Sequence, residues 1–156
     1  MAGFGNITPN ISKQKISKNG AQLLEAAVRA HKAGDIKNAE VLYLNAINSG
    51  FFHEVAFSNL GVIYKNTDRK EEAISIYKRA ISCNPNFTNA YSNLGNLFKE
   101  LGNLDQALTS TLKSLELKPD NPDALLNLGG IYKDLGNLDQ ALASTLKSLK
   151  LKPDNP

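Results

Sequence analysis

LGNLFKELGNLDQALTSTLKSLELKPDNP, residues 94–122, and LGGIYKDLGNLDQALASTLKSLKLKPDNP, residues 128–156, are two nearly identical stretches of the chain. They are offset by 34 residues, and 24 of 34 positions are identical between the full windows 88–121 and 122–155. Self-similarity at a fixed period is typical of repeat proteins, in which one small structural unit is stacked several times. The rest of the chain can therefore be aligned to the phase of this repeat.

Extending the phase towards the N-terminus divides the chain into four units, which are 20–53, 54–87, 88–121 and 122–155. Positions 4, 7, 8 and 11 of most units are apolar, aromatic or small, which is the i, i+3, i+4, i+7 spacing of one helix face. Gly61, Gly95 and Gly129 occupy position 8, although a glycine inside a helix costs about 1 kcal/mol relative to alanine. We therefore predict a first helix, called helix A, that packs closely against a second, called helix B.

Glycines also mark the end of helix A. Gly34, Gly102 and Gly136 lie at position 15, where a left-handed backbone can end a helix, and Asp68 takes this place in the second unit. Asn121–Pro122 suits the N-cap and first position of the last helix A. These signals predict a short turn after every helix A.

The start and end of helix B have their own signals. Asn103 with Gln106, and Asn137 with Gln140, resemble capping boxes in which asparagine is the cap. Proline cannot continue the hydrogen-bonding pattern of a helix, so proline at position 32 is expected to end helix B. The prolines at this position are Pro85, Pro119 and Pro153.

The chain therefore reads as helix, turn, helix, turn, with no strand pattern, and we predict an all-α solenoid of antiparallel helix hairpins. Small residues at positions 8 and 20, aromatic residues at positions 4 and 11, and proline at position 32 resemble the tetratricopeptide repeat family across residues 20–155. The first repeat is the weakest match, with Ala30 and Phe51 in place of an aromatic residue and a proline. The resemblance implies a right-handed superhelix of about four repeats, with helices A lining a concave protein-binding surface.

Two positions depart from the family pattern. Position 24 is usually large; Tyr43 and Tyr77 comply, whereas the last two repeats carry Thr111 and Thr145. Position 27 is alanine in the first two repeats and serine in the last two, at Ser114 and Ser148. We expect each of these hydroxyls to donate to the carbonyl four residues earlier, which would satisfy it locally.

Asn59, Asn93 and Asn127 recur at position 6, opposite the packing face of helix A, and form what we call the asparagine ladder. An amide side chain both donates and accepts, so it can bind the backbone of an extended peptide. The ladder resembles the superhelical repeats of O-linked N-acetylglucosamine transferase, which implies peptide binding. Further candidate groove residues are Asn89, Asn96, Asn66, Val55 and Val62. The alternative is that the ladder residues bond to one another or to the preceding helix end and only organise the stack.

Charged residues suggest a preference for the bound peptide. Glu100, Asp123 and Asp134 lie towards the rear of the predicted groove, and valines lie towards its front. A peptide that is basic at one end and apolar at the other would suit this surface. Lysines also repeat at position 12, and we interpret them as a solvated stripe rather than an anion site. These lysines are Lys65, Lys99 and Lys133.

Composition argues against several other functions. The net charge of +3 lies in residues 1–53, so we predict no nucleic-acid partner, and no apolar run is long enough to suggest a membrane partner. His31 and His53 lack ligand-spaced neighbours, and Cys83 is expected in the core. We therefore predict no catalytic residue, no metal and no cofactor, and a cytoplasmic protein that is not an enzyme.

The two ends of the chain carry the remaining expectations. Residues 1–19 are predicted to form a disordered or weakly ordered basic segment ahead of the array at 20–156. The last repeat has no polar cap, which predicts self-association through that repeat. The leading hypothesis is a scaffold that binds a protein or peptide in extended conformation. The alternatives are the substrate-recruiting arm of a larger transferase and a self-assembling structural module.

Overall fold

The computed structural model describes residues 18–152. Residues 1–17 of the predicted N-terminal segment 1–19 lie outside the described residues. Pro153 also lies outside them. Between residues 18 and 152 the chain forms eight α-helices and no strand. They are α1 Lys18–Lys32, α2 Ile36–Asn48, α3 Glu54–Asn66, α4 Lys70–Cys83, α5 Thr88–Glu100, α6 Leu104–Leu117, α7 Pro122–Asp134 and α8 Leu138–Leu151.

The helices confirm the predicted all-α repeat solenoid and its period. From α3 onward, both ends of each helix recur 34 residues later in the next repeat. The chain divides into two compact units between Ala56 and Phe57. The first contains the α1–α2 hairpin, and in the second the hairpins stack, with α4 against α5 and α6 against α7. The handedness of the superhelix stays a prediction.

The glycines at position 8 allow close packing, as predicted. Each lies against position 24 of its own repeat: Gly61 against the Tyr77 ring, Gly95 against the Thr111 hydroxyl and Gly129 against that of Thr145. A methyl group at any of these glycines would overlap the opposing side chain. The substitution of tyrosine by threonine in the last two repeats therefore keeps the same contact with a smaller partner.

The turns after helix A have the predicted left-handed backbone. The φ angles are 80° at Gly34, 75° at Gly102 and 80° at Gly136, and Asp68 adopts 59° without being a glycine. Asn121 caps α7, because its side chain accepts from the Ala124 amide at 3.3 Å. These turns reverse the chain so that helices A and B of one repeat pack antiparallel.

The prediction of capping boxes at the start of helix B is wrong, because their hydrogen bonds do not form. Asn103 and Asn137 do occupy the N-cap positions of α6 and α8, but neither side chain makes a cap hydrogen bond. A capping box also needs a free N–H on the cap residue. The Asn103 amide already donates to the Phe98 carbonyl at 2.8 Å, and that of Asn137 to Tyr132 at 2.8 Å. The preceding turn therefore uses the donor that the glutamine would need.

Only one of the hydroxyls at positions 24 and 27 donates to the carbonyl four residues earlier, as predicted for all of them. Thr145 donates to the Ala141 carbonyl at 2.9 Å, as expected. Ser114 instead pairs with the Ser92 hydroxyl at 2.6 Å, and Ser148 donates to the Pro122 carbonyl at 2.7 Å. Position 27 faces helix A of its own repeat, so a polar group on that helix is the nearer partner.

Candidate functional site

A groove with a volume of about 340 Å³ lies between α5 and α7, the A helices of successive repeats. Three of the predicted asparagines line it, namely Asn93, Asn96 and Asn127. Asn93 and Asn127 share position 6, and Asn96 lies one turn further along α5. The 34-residue period therefore places equivalent amides side by side on the face of helix A opposite Leu94 and Gly95.

Two amides in the groove, those of Asn93 and Asn96, are available to a ligand. The Asn93 side chain is half-buried, and it makes no hydrogen bond to any residue in the part of the chain that the structure describes. Asn96 is exposed and likewise makes no side-chain hydrogen bond within residues 18–152. A carboxamide in this state offers donors and an acceptor to a ligand without breaking an internal bond.

Asn127 behaves differently, because its Nδ2 donates to the Thr111 hydroxyl of α6 at 3.4 Å. Thr111 is fully buried, so this bond links the groove to the seam between repeats. The partner is in the middle of α6, neither another asparagine nor the preceding helix end as the alternative had it, but the bond does join two repeats. The bond uses one N–H of the amide, and its carbonyl oxygen has no partner among residues 18–152.

The other candidate residues lie outside this groove. Asn59 is half-buried on α3 and already has an interaction partner. Asn66 and Asn89 are exposed, and Val55 and Val62 are 39% and 37% exposed. The structure thus brings together three of the eight predicted residues.

The predicted acidic rear of the groove is largely neutralised. Lys65 of α3 pairs with Glu100 of α5 at 2.6 Å, and Lys152 pairs with Asp123 at 2.8 Å. Asp134 makes no ion pair with a residue between 18 and 152. The interpretation of the position 12 lysines as a solvated stripe is also incomplete, because Lys99 lines the groove. Sequence reasoning missed this side chain because the space it occupies depends on a residue of the next repeat.

The remaining reactive groups show no activation. Burial raises the pKa of the Cys83 thiol, although Arg79 opposes the shift, and the residue is half-buried rather than in the core. Burial also raises the pKa of Tyr77 to about 12. Within residues 18–152, no cluster of His, Cys, Asp and Glu could hold a metal ion. No helix in that range is long and apolar enough to cross a membrane.

Family models match most of the chain from α3 onward. Models described as tetratricopeptide repeat match residues 56–87, 76–109 and 122–155, and one described as TPR repeat matches residues 95–136. The chain belongs to the tetratricopeptide repeat family. None of the curated proteins is a significant match.

Solved tetratricopeptide repeat structures resemble the chain over most of its length. A crystal structure of MamA matches with a TM-score of 0.78 and 25% identity, over 86% of this chain and 79% of that one. YrrB, described as a TPR protein with an unusual peptide-binding site, matches with a TM-score of 0.72 and 25% identity, over 87% and 70%. A thermophilic TPR protein of Thermus thermophilus shares the fold, with a TM-score of 0.70 and 21% identity over 86% and 75%.

Proposed function

We propose that the chain is a non-catalytic scaffold that binds an extended peptide of a partner protein along the groove between α5 and α7. The observation that carries this proposal is the convergence of Asn93, Asn96 and Asn127, with two amides free of internal hydrogen bonds. Free amides at helical spacing suit the alternating N–H and C=O groups of an extended backbone. The peptide-binding site described for YrrB supports the same function.

The double variant Asn93→Ala and Asn96→Ala tests this proposal without disturbing the fold, because neither side chain bonds within residues 18–152. A linear peptide selected on the wild-type chain from a random phage-displayed library serves as the probe. Loss of two or three hydrogen bonds at about 1 kcal/mol each predicts binding weaker by about 30- to 150-fold. Isothermal titration calorimetry measures this change.

Two controls accompany this experiment. Asn38→Ala with Asn45→Ala removes two exposed amides of α2 and should leave affinity unchanged. Methylation of a backbone nitrogen of the peptide should weaken binding when the methylated residue is one that contacts the groove. Equal affinity of the Asn93/Asn96 variant and the wild type would contradict the proposal.

We also propose that the chain self-associates through α8, since this helix exposes an apolar stripe. Leu138, Leu142 and Leu149 are 67%, 61% and 56% exposed. Their equivalents on α6, which α7 covers, are all at least half-buried. These are Leu104, Leu108 and Leu115. A stripe of this kind is stabilised when a second apolar face covers it.

The first helix argues against head-to-tail stacking as the way to cover this stripe. Positions 3 and 10 are buried and apolar in α5 and α7. In α1 they are Gln22 and Arg29, both exposed, and Arg29 pairs with Glu25 at 3.8 Å. A polar α1 face would not match the leucines of a second copy. Two α8 stripes meeting around a two-fold axis bury apolar surface on both sides.

Replacing Leu142 and Leu149 with glutamate is expected to weaken self-association by about a hundredfold or more, because each change places a charge in an apolar contact. Sedimentation velocity over a range of concentrations should show a dimer for the wild type and a monomer for the variant. Leu112→Glu is the matched control, since Leu112 is 44% exposed on α6, outside the stripe. A wild-type monomer at every concentration, or open-ended polymers, would contradict the two-fold contact.

A further inference from the structure

We propose that the groove selects a peptide with an acidic residue, whose carboxylate binds the ammonium group of Lys99. This inference rests on the proposed peptide-binding function and specifies what the groove prefers. It reverses the preference for basic residues that the sequence alone suggested. Three features of the structure support it, namely a missing ion pair, a glycine opposite the lysine, and the pairing of two nearby acids with other lysines.

The missing ion pair is visible by comparison of successive repeats. Lys65 and Lys99 occupy the same position of helix A, and Lys65 is neutralised by Glu100 of the next repeat at 2.6 Å. The residue equivalent to Glu100 for Lys99 is Asp134, whose side chain is one methylene shorter. Lys99 makes no ion pair with any residue between 18 and 152. Its positive charge is therefore available to a ligand.

The glycine opposite Lys99 explains where this charge lies. Lys99 Nζ and Cε lie directly over Gly130 of α7, in the space that a Cβ atom would fill. The other repeats carry a valine or asparagine at this position, so only the last repeat leaves that space open. Lys99 is half-buried there and lines the same groove as Asn93 and Asn127. Gly130 thus leaves room for the ammonium group beside the groove.

Two of the three acids near Lys99 are paired with other lysines, and the third, Asp134, makes no ion pair within residues 18–152 but does not line the groove. Glu100 is paired with Lys65, and Asp123 at the groove rim is paired with Lys152. A ligand carboxylate would therefore meet Lys99 together with the free amide donors of Asn93 and Asn96. Hydrogen bonds between charged partners are roughly twice as strong as neutral ones. A glutamate side chain fits this set of donors better than its neutral amide does.

The test compares peptides that differ at one residue. Starting from a peptide selected on the wild-type chain, each position is replaced in turn by glutamate, glutamine and lysine, and affinity is measured by fluorescence anisotropy. We expect one position at which glutamate binds about tenfold more tightly than glutamine, and lysine binds more weakly still. This preference should decrease with added salt, because screening weakens a partly exposed charge pair.

Variants of the chain assign the preference to Lys99. Lys99→Met should lose the preference for glutamate over glutamine, and Lys99→Glu should favour lysine at the same position. Lys133→Met is the control, because Lys133 holds the same repeat position on α7 and is exposed. Equal wild-type affinity for the glutamate and glutamine peptides, or a preference that survives in Lys99→Met, would overturn this inference alone. Failure of every peptide to bind would overturn the proposed function as well.

Discussion

Replacing Gly95 with valine is expected to lower the free energy of unfolding by about 3 kcal/mol, because the new side chain over-packs the seam between α5 and α6. A Cβ atom at Gly95 would overlap the Thr111 hydroxyl and lie 3.2 Å from the Thr111 amide nitrogen and 3.3 Å from the Ala107 carbonyl oxygen. Those two atoms belong to the backbone of α6 and cannot rotate away. Thr111 is also fully buried, so its side chain has no solvent to move into.

Urea denaturation followed by circular dichroism measures this loss. Gly130→Ala is the matched control, because its Cβ would meet only the flexible end of Lys99. That substitution removes a glycine from a helix interior and should raise stability by up to about 1 kcal/mol. A Gly95→Val variant as stable as the wild type would show that the α5–α6 seam is looser than its geometry implies.

Replacing Ile131 with alanine is expected to destabilise the chain by about 2–5 kcal/mol, the range for truncating a fully buried aliphatic side chain. Ile131 is 0% exposed on α7, the helix that packs against both α6 and α8. In a repeat protein the stability is approximately the sum of each repeat and its contacts with nearest neighbours. The loss should therefore fall mainly on the last hairpin.

Hydrogen exchange followed by mass spectrometry distinguishes a local from a global effect. In Ile131→Ala, amides of α7 and α8 should exchange faster by a larger factor than those of α5. Leu126→Ala changes a leucine of the same helix that is 56% exposed, and it should leave exchange unchanged. Uniform acceleration across all helices would contradict the nearest-neighbour account.

The fold could be predicted from the sequence because its signals are local and repeated. Glycine at position 15, the Asn121–Pro122 cap and the apolar face of helix A each act within a few residues. Repetition at a 34-residue interval then fixes which helices are neighbours, so Asn93 and Asn127 could be placed on one surface.

The chemistry of the groove could not be predicted in the same way, because it depends on contacts between repeats. The bond from Asn127 to Thr111 and the pairing of Lys65 with Glu100 each join residues of different repeats. Lys65 reaches Glu100, whereas Lys99 makes no ion pair with the shorter Asp134 and lies over Gly130 instead. Position 12 looks uniform in sequence, yet Lys65 is neutralised and Lys99 lines the groove.

The two serines at position 27 show how soon duplicated copies stop being equivalent. Ser114 bonds to Ser92, but the fourth repeat has Leu126 where the third has Ser92, and Ser148 bonds to a backbone carbonyl instead. Two hairpins with 24 of 34 residues in common thus inherit one backbone but not one set of hydrogen bonds. After gene duplication, a single substitution on the facing helix is enough to give an unchanged serine a different role. The hydrogen bonds of the two copies can therefore differ where the residues themselves are identical.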